Sequence, residues 1–340
     1  SAEKYGGMLC STWLDRPLSV AGRVMVKTEK GVSMRLVDLK EPCAVIPNVA
    51  IHMNRKANDD MSYNPAVDML PLYSDGEGGL RASLAAGAES LTARLARELG
   101  CWEEDILSTD IIVYNPQEGI EWNGFISAPR LDDLQCAFSA LKAFVSAEKN
   151  NAAMPVYCLF DNEEVGSQTK QGAASTFLAD TLDRVREALG MSFSDYHRAV
   201  ANSFLVSCDN AHAVHPNHPE FMDKNHAVYM NEGIVIKYNA NQKYTSDAVS
   251  AAIFRTVCEK AGVPFQYYAN RADMPGGGPL GNIANTQVSL NTVDIGLPQL
   301  AMHSTYETAG AKDTEYMVSA LRLFYEHALR MESDGEYVFE

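Results

Sequence analysis

The hydrophobic pattern of this chain changes near residue 119, and this change limits most strongly how the chain can fold. Before that point β-branched and polar residues alternate, as in "VAGRVMVKTEKGVSMRLVDL", where Lys30 and Gly31 supply a turn between two strands. After it, segments with helical periodicity alternate with short, fully apolar runs. The sequence therefore predicts a β-rich N-terminal region and an α/β C-terminal region, in which helices flank a mostly parallel sheet.

The same patterns locate the individual elements. The N-terminal region has a single predicted helix, from Leu80 to Leu99, with Gly100 ending it. In the C-terminal region the pattern predicts helices at 131–147, 167–189, 246–261 and 312–331. The apolar runs between them predict strands at 155–160, 203–208, 233–239, 265–269 and 288–295.

Composition excludes several classes of partner. With 340 residues, 46% of them hydrophobic, the chain can bury a large core and is expected to form two domains, or one large domain with an insertion. The formal net charge of -16 repels phosphate backbones and anionic lipid headgroups. We therefore expect neither nucleic-acid binding nor attachment to a membrane surface.

The compartment follows from the cysteines and from the hydropathy. The seven cysteines are widely spaced, without a CxxC pair, and are interpreted as reduced thiols rather than as a disulfide or zinc framework. No run approaches eighteen apolar residues, and the first residues lack the pattern of a signal peptide. We expect a cytoplasmic protein.

Acidic residues and one histidine follow predicted strands at several places. Because ligands collect at the carboxyl ends of strands in α/β sheets, these side chains are expected to converge. Carboxylates together with one histidine suit a divalent cation such as Zn²⁺ or Mn²⁺. The candidates are Glu163 and Glu164 after "PVYCLF", Asp209 after "SFLVSC", His303 after "VDIGLPQLAM", and Asp132 and Asp133 after "FISAPR".

Each candidate also has a structural interpretation. Adjacent glutamates point in different directions, so that one can bind a metal while the other acts as a general base, but acids also favour helix starts. Asp209 alone is typical of a turn. The histidines of "DNAHAVHPNHP" lie between prolines, which favours an ordered loop over a metal cluster. In "MPGGGPLG", Gly277 and Gly278 fit either close approach of the backbone to a substrate or a plain turn.

Taken together, eight stretches resemble the aspartyl aminopeptidase family of two-zinc metallopeptidases, in family order over nearly the whole chain. They are "EKYGG" with "STWLDRPLSVAGRV", "NVAIHMNR", "NPAVDMLPL", "APRLDDL", "FDNEEVGS", "DNAHAVHPNHP", "IVIKYNANQKYTSDAVS" and "LPQLAMHSTYETAG". The resemblance implies a catalytic α/β domain at 1–18 and 119–340 and an inserted β-rich oligomerisation domain at 19–118. It also implies peptide substrates and assembly into dimers and tetrahedral dodecamers.

The resemblance further implies a role for each site residue. Asp132 would bridge two zinc ions, for which Mn²⁺ or Co²⁺ are alternatives, and its peptide bond to Asp133 would be cis. Glu164 and His303 would complete one site, Asp209 would serve the other, and Glu163 would be the general base.

One departure from the family affects the second metal. In the family a histidine from an "HTD"-like segment before residue 1 completes that site, and none of the eight histidines here lies in such a motif. We therefore expect one complete and one incomplete site. A catalytically impaired homologue or a truncated chain that acts as an oligomeric scaffold stays open as an alternative. A glycosidase with two carboxylates is disfavoured, because adjacent acids rarely reach opposed positions.

Two further residues carry expectations about the substrate. His52 in "NVAIHMNR" is a strand-end histidine, for which the resemblance implies reach into a neighbouring subunit's active site. Lys237 places a charge within the apolar strand "EGIVIKYNAN" and could be a lysine on a solvated edge. The resemblance instead implies a pocket for the first side chain, and hence preference for N-terminal Asp or Glu. A broad-specificity aminopeptidase is the alternative.

Overall fold

The computed structural model of the protein describes residues 2–59, 61–74, 89–149, 152–278, 280–333 and 335–340. The chain forms two compact units that divide between Glu118 and Gly119. The first unit consists mainly of residues 8–118, and it includes residues 8–18, which the resemblance placed in one domain with residues 119–340. The second unit consists mainly of residues 119–303 and 307–340, and it also includes residues 5–7.

The first unit is built on a three-stranded antiparallel sheet with the order β2-β1-β3. Its elements are β1 (Ser19–Thr28), β2 (Gly31–Asp38), α1 (Pro65–Asp68), α2 (Leu91–Leu99) and β3 (Ile106–Tyr114). The predicted turn between the first two strands is confirmed, because Thr28 pairs with Gly31. Val20, Val24 and Val26 form a buried core on one face of this sheet, together with Leu95 of α2.

The predicted C-terminal end of the helix in the first unit, at Leu99 and Gly100, is confirmed. Gly100 adopts a left-handed conformation with φ +64° and terminates α2. Within the described residues α2 begins only at Leu91, and the Ser90 hydroxyl accepts a hydrogen bond from the amide of Ala93 as its N-cap. Residues 80–88 of the prediction lie outside the described residues of the chain.

The second unit combines helices with mixed sheets, which confirms the α/β class. Its helices are α3 (Leu131–Ser146), α4 (Phe177–Ala188), α5 (Phe193–Ala201), α6 (Ala248–Ala261), α7 (Leu280–Ala284) and α8 (Asp313–Glu326). Its strands are β4 (Ile120–Trp122), β5 (Phe125–Ala128), β6 (Phe204–Cys208), β7 (Ala211–His212), β8 (Ile234–Tyr238), β9 (Phe265–Ala269), β10 (Asn291–Gly296), β11 (Pro298–Leu300), β12 (Glu307–Gly310), β13 (Leu329–Ser333) and β14 (Glu336–Phe339).

Two sheets form the frame of this unit. In the first, with the order β6-β10-β8-β9, the pairs β6/β10 and β8/β9 are parallel and β10/β8 is antiparallel. In the second, with the order β4-β5-β12-β11-β7, only β11/β7 is parallel. A single core joins the first sheet to the helices. It contains Ile236 of β8, Ile295 of β10, Ala143 of α3, Phe254 of α6 and Met317 of α8.

Three predicted elements differ from the observed ones. Residues 155–160 form no strand with any described residue. The helix predicted at 167–189 begins only at Phe177, because the residues before it form hydrogen-bonded turns that return to residues 161–167. The helix predicted at 312–331 ends at Glu326, because the chain then forms a hairpin of β13 and β14, extended by hydrogen bonds between Ala328 and Glu340. None of the helices in the described ranges is both long and apolar enough to cross a membrane.

Candidate metal centre

Three predicted ligands meet at one point of the second unit. The Nε2 atom of His303 lies 3.2 Å from Oδ2 of Asp132 and 3.1 Å from Oε2 of Glu164. One ligand atom from each residue can be chosen so that all three lie within 4.8 Å of one another. Two carboxylates and one imidazole at this separation form a donor set that suits zinc.

The start of α3 positions Asp132. Arg130 before it is left-handed, with φ +59°, and the bond between Asp132 and Asp133 is a cis peptide, as the resemblance implied. The Asp132 side chain is buried, with Oδ2 directed at His303. Its other oxygen, Oδ1, is also buried and has no hydrogen-bond partner among the described residues. A carboxylate with one oxygen in the cluster and one without a partner fits a bridge between two cations.

A buried glutamate holds the backbone of two ligand residues. Glu307, at the start of β12, accepts the amide of Asp132 at Oε2, over 3.0 Å, and the amide of His303 at Oε1, over 2.7 Å. Its side chain is 2% exposed. Each carboxylate oxygen therefore orients one ligand residue, although Glu307 itself gives no atom to the cluster.

The loop that carries the glutamates is fixed by Asn162. This residue is left-handed, with φ +61°, and precedes a short 3-10 turn at Glu163–Val165. Its side-chain oxygen accepts hydrogen bonds from Thr169 Oγ1, over 2.9 Å, and from Gln171 Nε2, over 3.0 Å. Its side-chain nitrogen donates to the hydroxyl of Tyr5 over 3.0 Å. These hydrogen bonds hold Asn162 in place, and with it the start of the turn that carries Glu163 and Glu164.

Two glycines pack directly against the ligand residues. A Cβ atom at Gly6, where φ is +62°, would lie 2.4 Å from the carbonyl oxygen of Glu164. A Cβ atom at Gly7 would lie 3.3 Å from Nδ1 of His303. Gly6 therefore needs glycine, and a side chain at Gly7 would press against the imidazole ring of His303.

The electrostatics favour positive charge at this point. Burial raises the pKa of Asp132 to about 7, and neighbouring carboxylates act in the same direction. Burial also raises the pKa of Glu163 to about 8, and the charges of Asp209 and Glu164 add to it. Hydrogen bonds to Asp132 and Glu164 raise the pKa of His303 to about 11. A proton on His303 Nε2 thus balances the acids, and a cation bound by the same atoms would displace that proton.

Asp209 is paired with a lysine rather than joined to the three-residue cluster. It follows β6, and its Oδ2 lies 3.6 Å from Nζ of Lys237 on β8. Lys237 is only 2% exposed, donates to the carbonyl of Asn210 over 2.7 Å, and lies 5.5 Å from the ring centroid of Tyr244. Burial by itself would lower the pKa of Lys237, but Asp209 and Tyr244 raise it above its usual value. The alternative of a lysine on a solvated edge is therefore wrong.

The remaining residues predicted from the sequence do not belong to the three-residue cluster. His52 is exposed in a turn of the first unit. No described atom lies within 4 Å of a Cβ built at Gly277 or Gly278, whereas one at Gly276 would lie 3.0 Å from Asn239 Nδ2. His218 hydrogen-bonds to Glu220 over 3.0 Å in an exposed loop, which agrees with the ordered-loop interpretation of the histidine-rich stretch.

Glu307, Gly6 and Gly7 were not predicted from the sequence as residues of the centre. The glycines stand in the quoted stretch "EKYGG" and Glu307 stands in "LPQLAMHSTYETAG", so all three lay inside matched segments. Their chemistry gave no signal, because a carboxylate that binds backbone amides resembles any other acid in a sequence. The glycine pair was the only local sign of close packing.

Comparisons with known proteins agree with this geometry. A family model described as "Aminopeptidase I zinc metalloprotease (M18)" matches residues 1–325. A probable M18 family aminopeptidase 2 of Clostridium acetobutylicum is 44% identical over 330 residues, which are 96% of this chain and 75% of that relative.

Solved structures agree as well. A chain of the Ape4 and Nbr1 complex, solved by cryo-EM, is similar with a TM-score of 0.87 and 36% identity, over 95% of this chain and 65% of that one. A yeast mApe1 dodecamer is similar with a TM-score of 0.75 and 28% identity, over 95% of this chain and 72% of that one. The motifs and both kinds of match lead to one conclusion, that the chain belongs to the M18 family of zinc metallo-aminopeptidases, the family of aspartyl aminopeptidase.

Proposed function

We propose that this chain removes acidic N-terminal residues from peptides by means of the centre at Asp132, Glu164 and His303. The observation that carries the proposal is the convergence of these three side chains on one point, with His303 Nε2 at 3.1–3.2 Å from both carboxylates. Zn²⁺ held there supplies Lewis acidity, which polarises a carbonyl and acidifies a water molecule. Mn²⁺ or Co²⁺ can be held by the same donors.

Glu163 is the proposed general base. It is adjacent to the ligand Glu164, and burial together with the charges of Asp209 and Glu164 raises its pKa to about 8. The positive charge of a bound cation acts in the opposite direction to these carboxylates and favours the ionised form. The Glu163 carboxylate then takes a proton from water and passes it to the leaving amine.

A second metal site is proposed at Asp132 Oδ1 and Asp209. The buried Oδ1 atom without a described partner supports this site, and the ion pair between Asp209 and Lys237 opposes cation binding there. We therefore expect one tight zinc site per chain and one weak site. This pairing also supports the alternative of a catalytically impaired scaffold.

Zinc titration with an aminoacyl-nitroanilide assay tests these assignments. Glu163→Gln is expected to abolish turnover and keep the zinc, whereas Glu164→Gln is expected to lose the zinc. Loss of zinc from Glu163→Gln would reverse the assignment of the two glutamates. Two tightly bound zinc ions with full turnover would contradict the uneven sites, and one bound zinc without turnover would favour the scaffold.

Lys237 is the proposed determinant of acidic specificity. It is a buried cation in a chain with a net charge of -16, and at such a site a charge pair is worth more than at the surface. The backbone at Gly277 and Gly278, open to approach, is proposed to contact the same substrate. Lys237→Met should lower kcat/KM for Glu-nitroanilide much more than that for Leu-nitroanilide.

The matched control is Lys243→Met, which removes an exposed lysine of the following loop. A wild-type preference for Leu, or an unchanged ratio in Lys237→Met, would identify a broad-specificity aminopeptidase instead.

The first unit is proposed to be the oligomerisation domain. The outer side of β2 exposes Val32, Met34 and Leu36 in alternation, and an exposed apolar sheet face favours contact with another copy. A similar solved structure is a dodecamer, which supports assembly through dimers to a tetrahedral dodecamer. Met34→Lys with Leu36→Lys should lower the mass measured by light scattering, and an unchanged mass would exclude this face.

One further assignment depends on assembly. His52 is proposed to stabilise the oxyanion in a neighbouring copy, so that His52→Ala should lower kcat more than it changes KM.

A cytoplasmic location is proposed because all seven cysteines are free thiols.

A further inference from the structure

Three buried amide side chains form a hydrogen-bonded cluster in the second unit. Nδ2 of Asn210 donates to Oε1 of Gln135 over 3.1 Å and to Oε1 of Gln299 over 2.6 Å. All three residues are buried, and Asn210 is only 2% exposed. The buried thiol of Cys136 donates to Oδ1 of Asn210 over 2.9 Å. Both polar atoms of the Asn210 side chain therefore have partners, which fixes the orientation of its amide.

This amide cluster joins segments that carry the site residues. Gln135 lies three residues after Asp132 on α3, and Gln299 lies on β11, four residues before His303. Asn210 lies in the connection between β6 and β7. The side chain of Asn210 thus binds to the two segments that carry Asp132 and His303.

The backbone of Asn210 contacts the lysine that is proposed to bind acidic side chains. Nζ of Lys237 donates to the carbonyl oxygen of Asn210 over 2.7 Å and lies 3.6 Å from Oδ2 of Asp209. The stem of Lys237 is closely packed on one side, since a Cβ atom at Gly296 would lie 2.8 Å from its Cε. An ammonium has three donors, so the carbonyl of Asn210 takes one of them and sets the direction of the other two.

We propose that Asn210 is a positioning residue for substrate selectivity, whose side chain fixes the carbonyl that orients the ammonium of Lys237 towards an acidic substrate side chain. The proposal rests on the proposed role of Lys237 in binding Asp or Glu. The ammonium of a lysine is carried on a flexible four-carbon stem, so fixing it before the substrate arrives lowers the entropic cost of binding.

The flanking backbone offers another explanation for the position of this carbonyl. The amide of Asp209 donates to the carbonyl of Ile295 over 3.1 Å, and the amide of Ala211 donates to that of Leu297 over 2.8 Å. If these bonds alone held the carbonyl, the side chain of Asn210 would contribute to stability and not to selectivity. The two explanations differ in one measurable quantity, the ratio of the affinities for an acidic and an apolar amino acid.

Titration of the zinc-loaded chain with L-glutamate and with L-leucine, followed by ligand-observed NMR, tests the proposal without requiring turnover. Asn210→Leu keeps a similar shape and removes all three side-chain hydrogen bonds. It is expected to weaken glutamate binding about tenfold relative to leucine binding, because a displaced ammonium no longer meets the carboxylate. In the Lys237→Met background the same substitution should leave the ratio unchanged, since the residue through which Asn210 acts is absent.

Thr314→Val is the matched control. The hydroxyl of Thr314 accepts a hydrogen bond from Nε2 of Gln135 over 3.0 Å, so valine removes a polar contact of the same cluster without touching Asn210. Its ratio of affinities should equal that of the wild type, and all variants are compared at equal zinc content. If Asn210→Leu does not fold, Asn210→Ser takes its place, with a shift of the ratio in the same direction.

Three outcomes would overturn the proposal, and they separate it from the proposed function. An unchanged ratio in the Asn210 variant, with a changed ratio in Lys237→Met, would leave Lys237 as the determinant and make Asn210 a purely structural residue. An equal shift with and without Lys237 would show that Asn210 acts through another group. An unchanged ratio in Lys237→Met would remove both this proposal and the proposed determinant of acidic specificity.

Discussion

At the scale of single residues, one carboxylate outside the three-residue cluster organises the candidate centre. The two oxygens of Glu307 accept the amides of Asp132 and His303, which come from distant regions of the sequence. The two ligand residues therefore keep their relative position before any ion arrives. The loss of such a partner typically lowers metal affinity or activity by roughly 10–100-fold.

Glu307→Gln is expected to weaken zinc binding by roughly 10–100-fold, as measured with a competing chelator. The glutamine side chain has only one acceptor oxygen. The backbone amide of either Asp132 or His303 therefore loses its acceptor and instead faces the NH2 group of the glutamine. Glu259→Gln removes the charge from an exposed glutamate of α6 and serves as control. Unchanged zinc affinity in Glu307→Gln would mean that the ligand residues are held by other contacts.

The ligand residues could be predicted, and the residues that orient them could not. Asp132, Glu164 and His303 were recognisable because they follow apolar runs and stand in stretches that resemble the family. Glu307 acts on backbone atoms, and Gly6 acts by lacking a side chain, so neither has a chemical signature. The neighbour of Lys237 was equally hidden, because the pairing with Asp209 depends on which strands lie side by side.

At the scale of elements, periodicity predicted where helices and strands exist better than where they begin. Residues 155–160 have the apolar composition of a strand, but a strand also needs a hydrogen-bonded neighbour. Helix α4 begins ten residues later than predicted, at Phe177, because Gln171 and the turns around it close the loop around Asn162. At α4 long-range contacts outweigh the local pattern, and at residues 155–160 the described residues provide no neighbouring strand.

The start of α8 depends on a single buried acid. Asp313 accepts the amide of Asn231 over 2.6 Å and that of Gly233 over 3.0 Å, and thereby joins α8 to the residues before β8. Asp313→Asn is expected to lower the free energy of unfolding by about 1–3 kcal/mol, because one of the two amides is left without an acceptor. Chemical denaturation measures this, with the exposed Glu315→Gln of the same helix as control. Equal stability of the two variants would contradict the role of Asp313.

At the scale of the whole molecule, the class of fold could be predicted from the sequence, but the order of the strands in the sheets could not. Alternating helices and apolar runs predicted an α/β arrangement, and the second unit has one. The antiparallel pairing of β8 with β10, and the largely antiparallel sheet that contains β12, did not appear in the pattern. A strand buried on both faces is apolar whether it pairs in parallel or antiparallel. Hydrophobicity therefore cannot distinguish the two directions.

The net charge of -16 gives a prediction about salt. At low ionic strength the molecule repels an acidic peptide over about 30 Å, and salt shortens this range, whereas a buried charge pair is screened much less. Raising the salt concentration should therefore increase kcat/KM for Glu-nitroanilide at least about twofold relative to Leu-nitroanilide. A ratio that falls with salt would mean that local attraction at the site outweighs the field of the whole molecule.

The positions of the site residues in the sequence also decide when the enzyme can become active. His303 and Glu307 follow Asp132 in the sequence by 171 and 175 residues. A ribosome releases the chain from its N-terminus, so the carboxylates leave the exit tunnel long before the imidazole and its clamp. A nascent chain that has not yet released His303 and Glu307 therefore lacks the imidazole and its clamp, and the proposed hydrolysis can begin only after both residues have emerged.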